Sequence, residues 1–217
     1  MTLHLRKEIE KTEKRILSLT AHVEQALRKS LQAFEENNKE LAKEVITEDT
    51  HIDQIEIEVE EECLKVLALH QPVASDLRFI VAAIRMTSDL ERIGDHAASI
   101  AKRTLLLLKT PDVIVSLDAL RTITERTVTC LNSSIKSLID RDVTLAYEVL
   151  AHEQEIVTLK EQLFIDFIEL SQKDCANIKA YSQYMFVSRY LERIADHAFN
   201  IAEDVIYMVE GEIVRHQ

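Results

Sequence analysis

Leu90-Glu91-Arg92-Ile93-Gly94-Asp95-His96-Ala97 occurs a second time as Leu191-Glu192-Arg193-Ile194-Ala195-Asp196-His197-Ala198. The match runs on through Ile100-Ala101 against Ile201-Ala202, so nine of twelve positions agree at an offset of 101. Upstream the offset becomes 104. Leu41-Ala42-x-Glu44-Val45-Ile46 falls against Leu145-Ala146-x-Glu148-Val149-Leu150, and Leu27, Ser30, Leu31 and Phe34 fall against Leu131, Ser134, Ile135 and Leu138. One register relates the two halves, with three residues missing from the second copy's later loop. A repeated unit of this length points to one structural module used twice.

The apolar positions inside each copy are helical. Leu41, Val45, Ile52, Ile55, Val59, Cys63 and Val66 recur at steps of three, four or seven, as one face of a helix requires. Leu77, Ile80 and Ile84, and then Leu90, Ile93, Ala97 and Ile100, do the same within each run. Turn-forming residues are scarce: two glycines and two prolines in 217 residues, where ordinary usage is about 7% and 5%. A sandwich or a doubly wound sheet needs many turns; long helices on short loops need few. Breaks at Asn37-Asn38, His70-Gln71-Pro72, Thr110-Pro111-Asp112, Asp140-Arg141-Asp142 and 173–177 predict six helices: 4–35, 39–69, 73–109, 112–139, 142–171 and 177–209. Thr110 is read as the N-cap of the fourth, with Pro111 at its first position. The expected fold is all-α: two tandem three-helix bundles, residues 1–110 and 111–217, packed side by side about a pseudo-twofold.

Composition narrows the function. Hydrophobic residues make up 47% of the chain, which supports a sizeable core. No apolar run approaches the ~20 residues that cross a bilayer, and the charged first ten residues lack a secretion signal. A cytoplasmic location is therefore expected. Three widely spaced cysteines, Cys63, Cys130 and Cys175, do not form a disulfide or zinc framework. The net charge of −12 repels nucleic-acid phosphates, so no nucleic-acid partner is expected.

The repeated Glu-x-x-x-Asp carries the site reading. Residues at i and i+4 share a helix face with Cβ atoms about 5–6 Å apart. Two carboxylates so placed repel unless a cation lies between them, and hard metals favour carboxylate oxygens. The ridges read Thr87, Glu91, Asp95, Ser99 in one copy and Ser188, Glu192, Asp196, Asn200 in the other. The second helix adds Asp49, Asp53, Glu56 and Glu60, expected to face the first of these ridges. Its counterpart in the second copy reads Glu153, Val157, Lys160, Phe164, with a cation among the ligands. The competing reading is a solvated acidic face. Arg92 with His96, and Arg193 with His197, lie on the next ridge round. They offer an anion site, a partner contact or ion pairs with neighbouring helices. There is no glycine-rich phosphate loop, no Glu-x-x-His di-iron pattern and no activated cysteine evident in the sequence, so no enzymatic activity is expected.

The doubled motif at Leu90–Asp95 and Leu191–Asp196, with Gln71-Pro72-x-Ala74-Ser75-Asp76-Leu77-Arg78 ahead of the third helix, resembles the PhoU family over nearly the whole chain. The resemblance implies a cytoplasmic adaptor that couples the ATPase subunit of a phosphate ABC importer to a sensor histidine kinase. Such a protein restrains uptake and the starvation response when phosphate is plentiful. It also implies multinuclear iron, or other divalent metal ions, at paired acidic motifs, here Glu91, Asp95, Glu192 and Asp196, with Asp49 and Asp53 on the second helix. A homodimer is among the assemblies such a bundle allows. The alternatives are a surface metalloprotein with a storage or hydrolytic role, and a metal-free helical scaffold.

Overall fold

The computed structural model describes residues 3–110, 115 and 117–214. Its described residues form α1 (Leu3–Glu35), α2 (Lys39–His70), α3 (Ala74–Leu107), α4 (Asp118–Asp140), α5 (Val143–Leu150), α6 (Glu153–Lys173) and α7 (Ile178–Glu210), with a single 3-10 turn at Cys175–Asn177 before α7. There are no strands among them.

The repeat is visible in the helix starts. Asn38 caps α2 by accepting a hydrogen bond from the Leu41 amide, and Asp142 caps α5 by accepting one from Leu145, both at 3.1 Å. The residue before each cap, Asn37 and Arg141, takes a left-handed conformation with φ 52°. These are equivalent positions at the offset of 104, so the same tight turn is built twice.

Two sequence expectations are corrected. The helix expected at 142–171 is divided at Ala151–His152. There the amide of His152 bonds the carbonyl of Val149, three residues back, at 3.1 Å, and the ladder tightens by one turn before resuming at Glu153. The helix expected from 112 begins at Asp118: Leu117 is extended, with φ −118° and ψ 122°. Pro111 and the expected first turn at 111–114 lie outside the described residues. Thr110 instead finishes α3, its hydroxyl donating to the carbonyl of Leu107 at 2.6 Å.

α1 and α2 pack on α3, and α4, α5 and α6 pack on α7. The two units join along α3 and α7, which run antiparallel. Arg78 reaches the carbonyl of Met208, Arg85 meets Asp204, and Arg103 meets Gln183. The crossing is pseudo-symmetric. Arg85 lies against Asp204 at 3.4 Å, while their equivalents, Phe186 and Arg103, stack with the guanidinium 4.0 Å from the ring centre. Met86, Leu90, Ile93 and Ile100 of α3 and Leu191, Ile194 and Ile201 of α7 are fully buried in one core that draws on both copies. With 33 residues in α7, the bundle's long helices extend about 50 Å.

Gly94 sets the distance between α2 and α3. A Cβ there would come within 3.0 Å of Ile52 Cδ1 and 3.1 Å of its Cγ2. The second copy has Ala195 at the same place. The missing Cβ lets Ile52 of α2 sit directly against α3, on the side where both helices carry acidic ridges.

Candidate functional site

Asp49, Asp53 and Glu56 on α2 and Glu91 and Asp95 on α3 form one acidic seam. Their mutual repulsion appears in the protonation equilibria. Burial pushes the Asp49 carboxyl up to about 6, with Asp95 and Asp53 adding to the shift and Lys102 opposing it. Burial raises Glu91 as well, followed by Asp95, while Arg92 opposes and Glu56 and Asp53 add. Glu56 is raised by burial and then by Glu60 and Asp53. The seam is half-buried, its charge only partly answered by Arg92, which lies 3.5 Å from Glu91 and 3.4 Å from Asp95.

The second copy has already settled its charge. Lys160 of α6 donates to Glu192 Oε1 at 2.7 Å, and that bond is the first cause of its raised pKa. Asp196 is raised by the protein packed round it and by Glu192, with His197 and Lys160 opposing, although the residue stays in contact with solvent. Lys160 therefore supplies positive charge that a metal ion would otherwise supply.

Three other polar members of the expected ridges already hold hydrogen bonds. Thr87, fully buried, donates its hydroxyl to Ala83 at 2.7 Å; Ser188 donates to Met185 at 2.9 Å; Asn200 donates to Asp89 at 3.0 Å. These groups are drawn into their own helices or the interface between copies. The carboxylates are the charged hard donors of the ridges. They fit a cation by charge and donor type in the first copy and not in the second. Among the described residues no three His, Cys, Asp or Glu side chains are gathered closely enough to hold a metal ion as they stand, so loading the seam requires its carboxylates to move closer together.

The two histidines of the motif meet across the copies. His96 and His197 have ring centres 5.5 Å apart, and His96 also faces Tyr190 at 5.7 Å. His197 Nδ1 is 2.7 Å from Asp89 Oδ1, which also accepts from Asn200. Burial, then His197, Arg193 and Arg92, lowers His96 to about 4, against Asp95. A neutral His96, and an Arg92 drawn to its own acids, remove much of the positive charge an anion site would need. Asp89 was not evident in the sequence because its equivalent is Tyr190, so comparing the copies hides it.

Asp49 gives a pH-dependent expectation. Its folded pKa, about 6, lies above the ~3.9 of an unfolded chain. The native state holds the extra proton between those values, and stability from this group is lost as pH rises through 6. Asp49→Asn, in chelator, is expected to stabilise the protein by about 1 kcal/mol at pH 7 after allowance for solvent screening. The gain should fade as pH falls toward 4. His96 works in the opposite sense, losing stability as pH falls below its unfolded value, so the variant must be compared with wild type at each pH by urea denaturation.

The comparisons with known proteins follow the repeat. A family model described as the PhoU domain matches residues 16–104 and again residues 120–205. The chain belongs to the PhoU family. A PhoU relative from Aquifex aeolicus, named phosphate-specific transport system accessory protein PhoU homolog, is 39% identical over 99% of this chain and 97% of its own. The crystal structure of PhoU from Pseudomonas aeruginosa superposes with a TM-score of 0.92 at 30% identity, covering 95% of this chain and 99% of that one. A PhoU from Streptococcus pneumoniae, described as a phosphate transport system regulatory protein, gives 0.87 at 30% identity, covering 97% and 99%. The all-helical two-repeat architecture is thus that of solved PhoU structures. No helix among the described residues is long and apolar enough to cross a membrane.

Proposed function

We propose that this chain is a non-enzymatic regulator of phosphate uptake that works in the cytoplasm through protein contacts. It restrains a phosphate ABC importer through the importer's ATPase subunit and holds a sensor histidine kinase in its off state while phosphate is plentiful. The observation that carries this is the full-length likeness to a protein named as an accessory of phosphate-specific transport, both copies of the motif included. The physical character of the molecule agrees. A bundle with one core shared by both copies presents long faces, which suits an adaptor. Phe164, Ile165 and Ile168 of α6 are 56%, 51% and 42% exposed, an apolar strip of the kind partner surfaces cover. Burial raises the Cys63 and Cys130 thiols to about 12 and about 11, which keeps both protonated and poor nucleophiles.

The direct test is binding. The full chain is expected to co-purify with the importer ATPase subunit and with the kinase cytoplasmic portion from the same genome. Failure to bind or functionally couple to either would remove the adaptor reading.

One observation favours a second role at the same surface. Asp49, with its carboxyl raised partly by Asp95 and Asp53, belongs to a seam that a divalent or trivalent cation would relieve. Asp49, Asp53, Glu91 and Asp95 would hold such an ion, iron or another hard metal, and its bound form would tie α2 to α3. Glu192 and Asp196 are the weaker pair because Lys160 is already bonded there.

A further inference from the structure

The seam between α1 and α2 is built from ion-paired rungs at regular spacing. Lys11 pairs with Glu62 at 2.8 Å, Arg15 with Glu58, and Lys29 with Glu44 and Glu48 at 2.6 and 2.8 Å. Arg15, position 22 and Lys29 are seven apart on α1; Glu58, position 51 and Glu44 are seven apart on the antiparallel α2. Steps of seven keep residues on one helix face, so the middle rung should hold another complementary pair. It holds two histidines instead. His22 and His51 meet with ring centres 4.7 Å apart and planes at 75°.

The tautomer of one of them follows from its contact. His22 Nδ1 lies 2.7 Å from the carbonyl oxygen of Ser18. A carbonyl only accepts, so Nδ1 carries the proton and Nε2 is left with its lone pair. A histidine fixed by a backbone carbonyl through one nitrogen and open at the other is oriented as metal-binding histidines are. The separation fits as well. A zinc–nitrogen bond of ~2.0–2.1 Å places the metal about 3 Å from the ring centre, so two rings at a tetrahedral angle have centres about 5 Å apart. The neighbouring rungs carry Lys29 against two carboxylates and Arg15 against one, an acidic balance that favours a cation. The other histidine pair differs: His197 Nδ1 already meets Asp89, and His96 has Arg92 and Arg193 as well as Asp95 near it.

We propose that His22 and His51 form a two-histidine site for a borderline transition-metal ion, such as Zn2+ or Ni2+, that clips α1 to α2 with water at the remaining positions. Imidazole ligands select these ions over Mg2+ and Ca2+, so the site is chemically distinct from the carboxylate seam and does not depend on it.

The test is calorimetric titration of the full chain with ZnCl2, alongside thermal unfolding with and without the metal. Glu91→Gln with Asp95→Asn is expected to keep one zinc per chain and a zinc-induced rise in Tm. His22→Ala and His51→Ala, each added to that background, are expected to weaken binding at least tenfold and abolish the rise, and an excess of MgCl2 should not compete. Both histidines lie at the surface, so either variant should fold. Zinc binding unchanged in both histidine variants, or absent before they are introduced, overturns the proposal.

Discussion

Leu191→Ala is expected to lower the free energy of unfolding by about 3 kcal/mol, within the ~2–5 kcal/mol range for leucine truncation in a packed core. It is also expected to do so in one transition of the whole chain. Leu191 is fully buried in α7, where the two copies share their core, and its carbonyl accepts the buried hydroxyl of Thr127 on α4 at 3.2 Å. The backbone at this position is therefore held by a neighbouring helix, and the site cannot readily collapse into the space left. The sequence supplies a convenient pair of probes. All five tyrosines, Tyr147, Tyr181, Tyr184, Tyr190 and Tyr207, lie in the second copy, and there is no tryptophan. Tyrosine emission thus reports on one copy and far-ultraviolet circular dichroism on both. In urea the two signals should coincide for wild type and variant alike, as two-state unfolding requires. Separate transitions, or a shift confined to tyrosine emission, would mean that the copies unfold independently.

The second large effect concerns metal. Glu91→Ala with Asp95→Ala is expected to remove more bound iron or manganese than Glu192→Ala with Asp196→Ala. In the first pair the carboxylates repel across α2 and α3; in the second, Lys160 already answers Glu192. The converse experiment is more demanding. Val157 and Lys160 are the equivalents of Asp53 and Glu56 at the offset of 104. Val157→Asp with Lys160→Glu would recreate the first copy's acidic ridge beside Glu153, Glu192 and Asp196. This variant is expected to bind Mn2+ in the second copy at least tenfold more tightly than wild type does there, roughly 1.4 kcal/mol. Without metal it should be slightly less stable, because a partly exposed ion pair contributes only ~1 kcal/mol or less. Equal losses in the two alanine pairs, or no gain in the converted copy, would contradict the asymmetry. Metal analysis of purified protein and titration calorimetry measure both.

Much of this architecture is legible in the sequence because helices write their burial into steps of three and four. The motif at Leu90 and Leu191 fixes the repeat, and the apolar steps from Leu41 to Val66 and from Leu77 to Ile100 place α2 and α3 to within a residue or two. The ridges facing each other across α2 and α3 follow from the same periodicity, and Lys160 among the acids marks the second copy as different. The misses have a different origin. The tightened turn at His152 changes one hydrogen bond and leaves the apolar pattern almost undisturbed. The hydroxyls of Thr87 and Ser188 look like ligands by spacing, yet each is bonded within its own helix. The Asp89–His197–Asn200 cluster joins one copy to the other, and no pattern along a single helix encodes it. Gly94 is a signal of a different kind. A glycine inside a long helix costs about 1 kcal/mol relative to alanine, and here it permits the close approach of Ile52 and α2.

We propose that this chain restrains phosphate import. The most direct measurement is phosphate uptake, together with a starvation-responsive reporter, in cells lacking the protein and grown in abundant phosphate. Unrestrained uptake and a reporter that stays on are expected, both reversed when the wild-type chain is restored. Uptake and reporter output indistinguishable from those of the parent strain, in a background carrying no second member of the family, would contradict it.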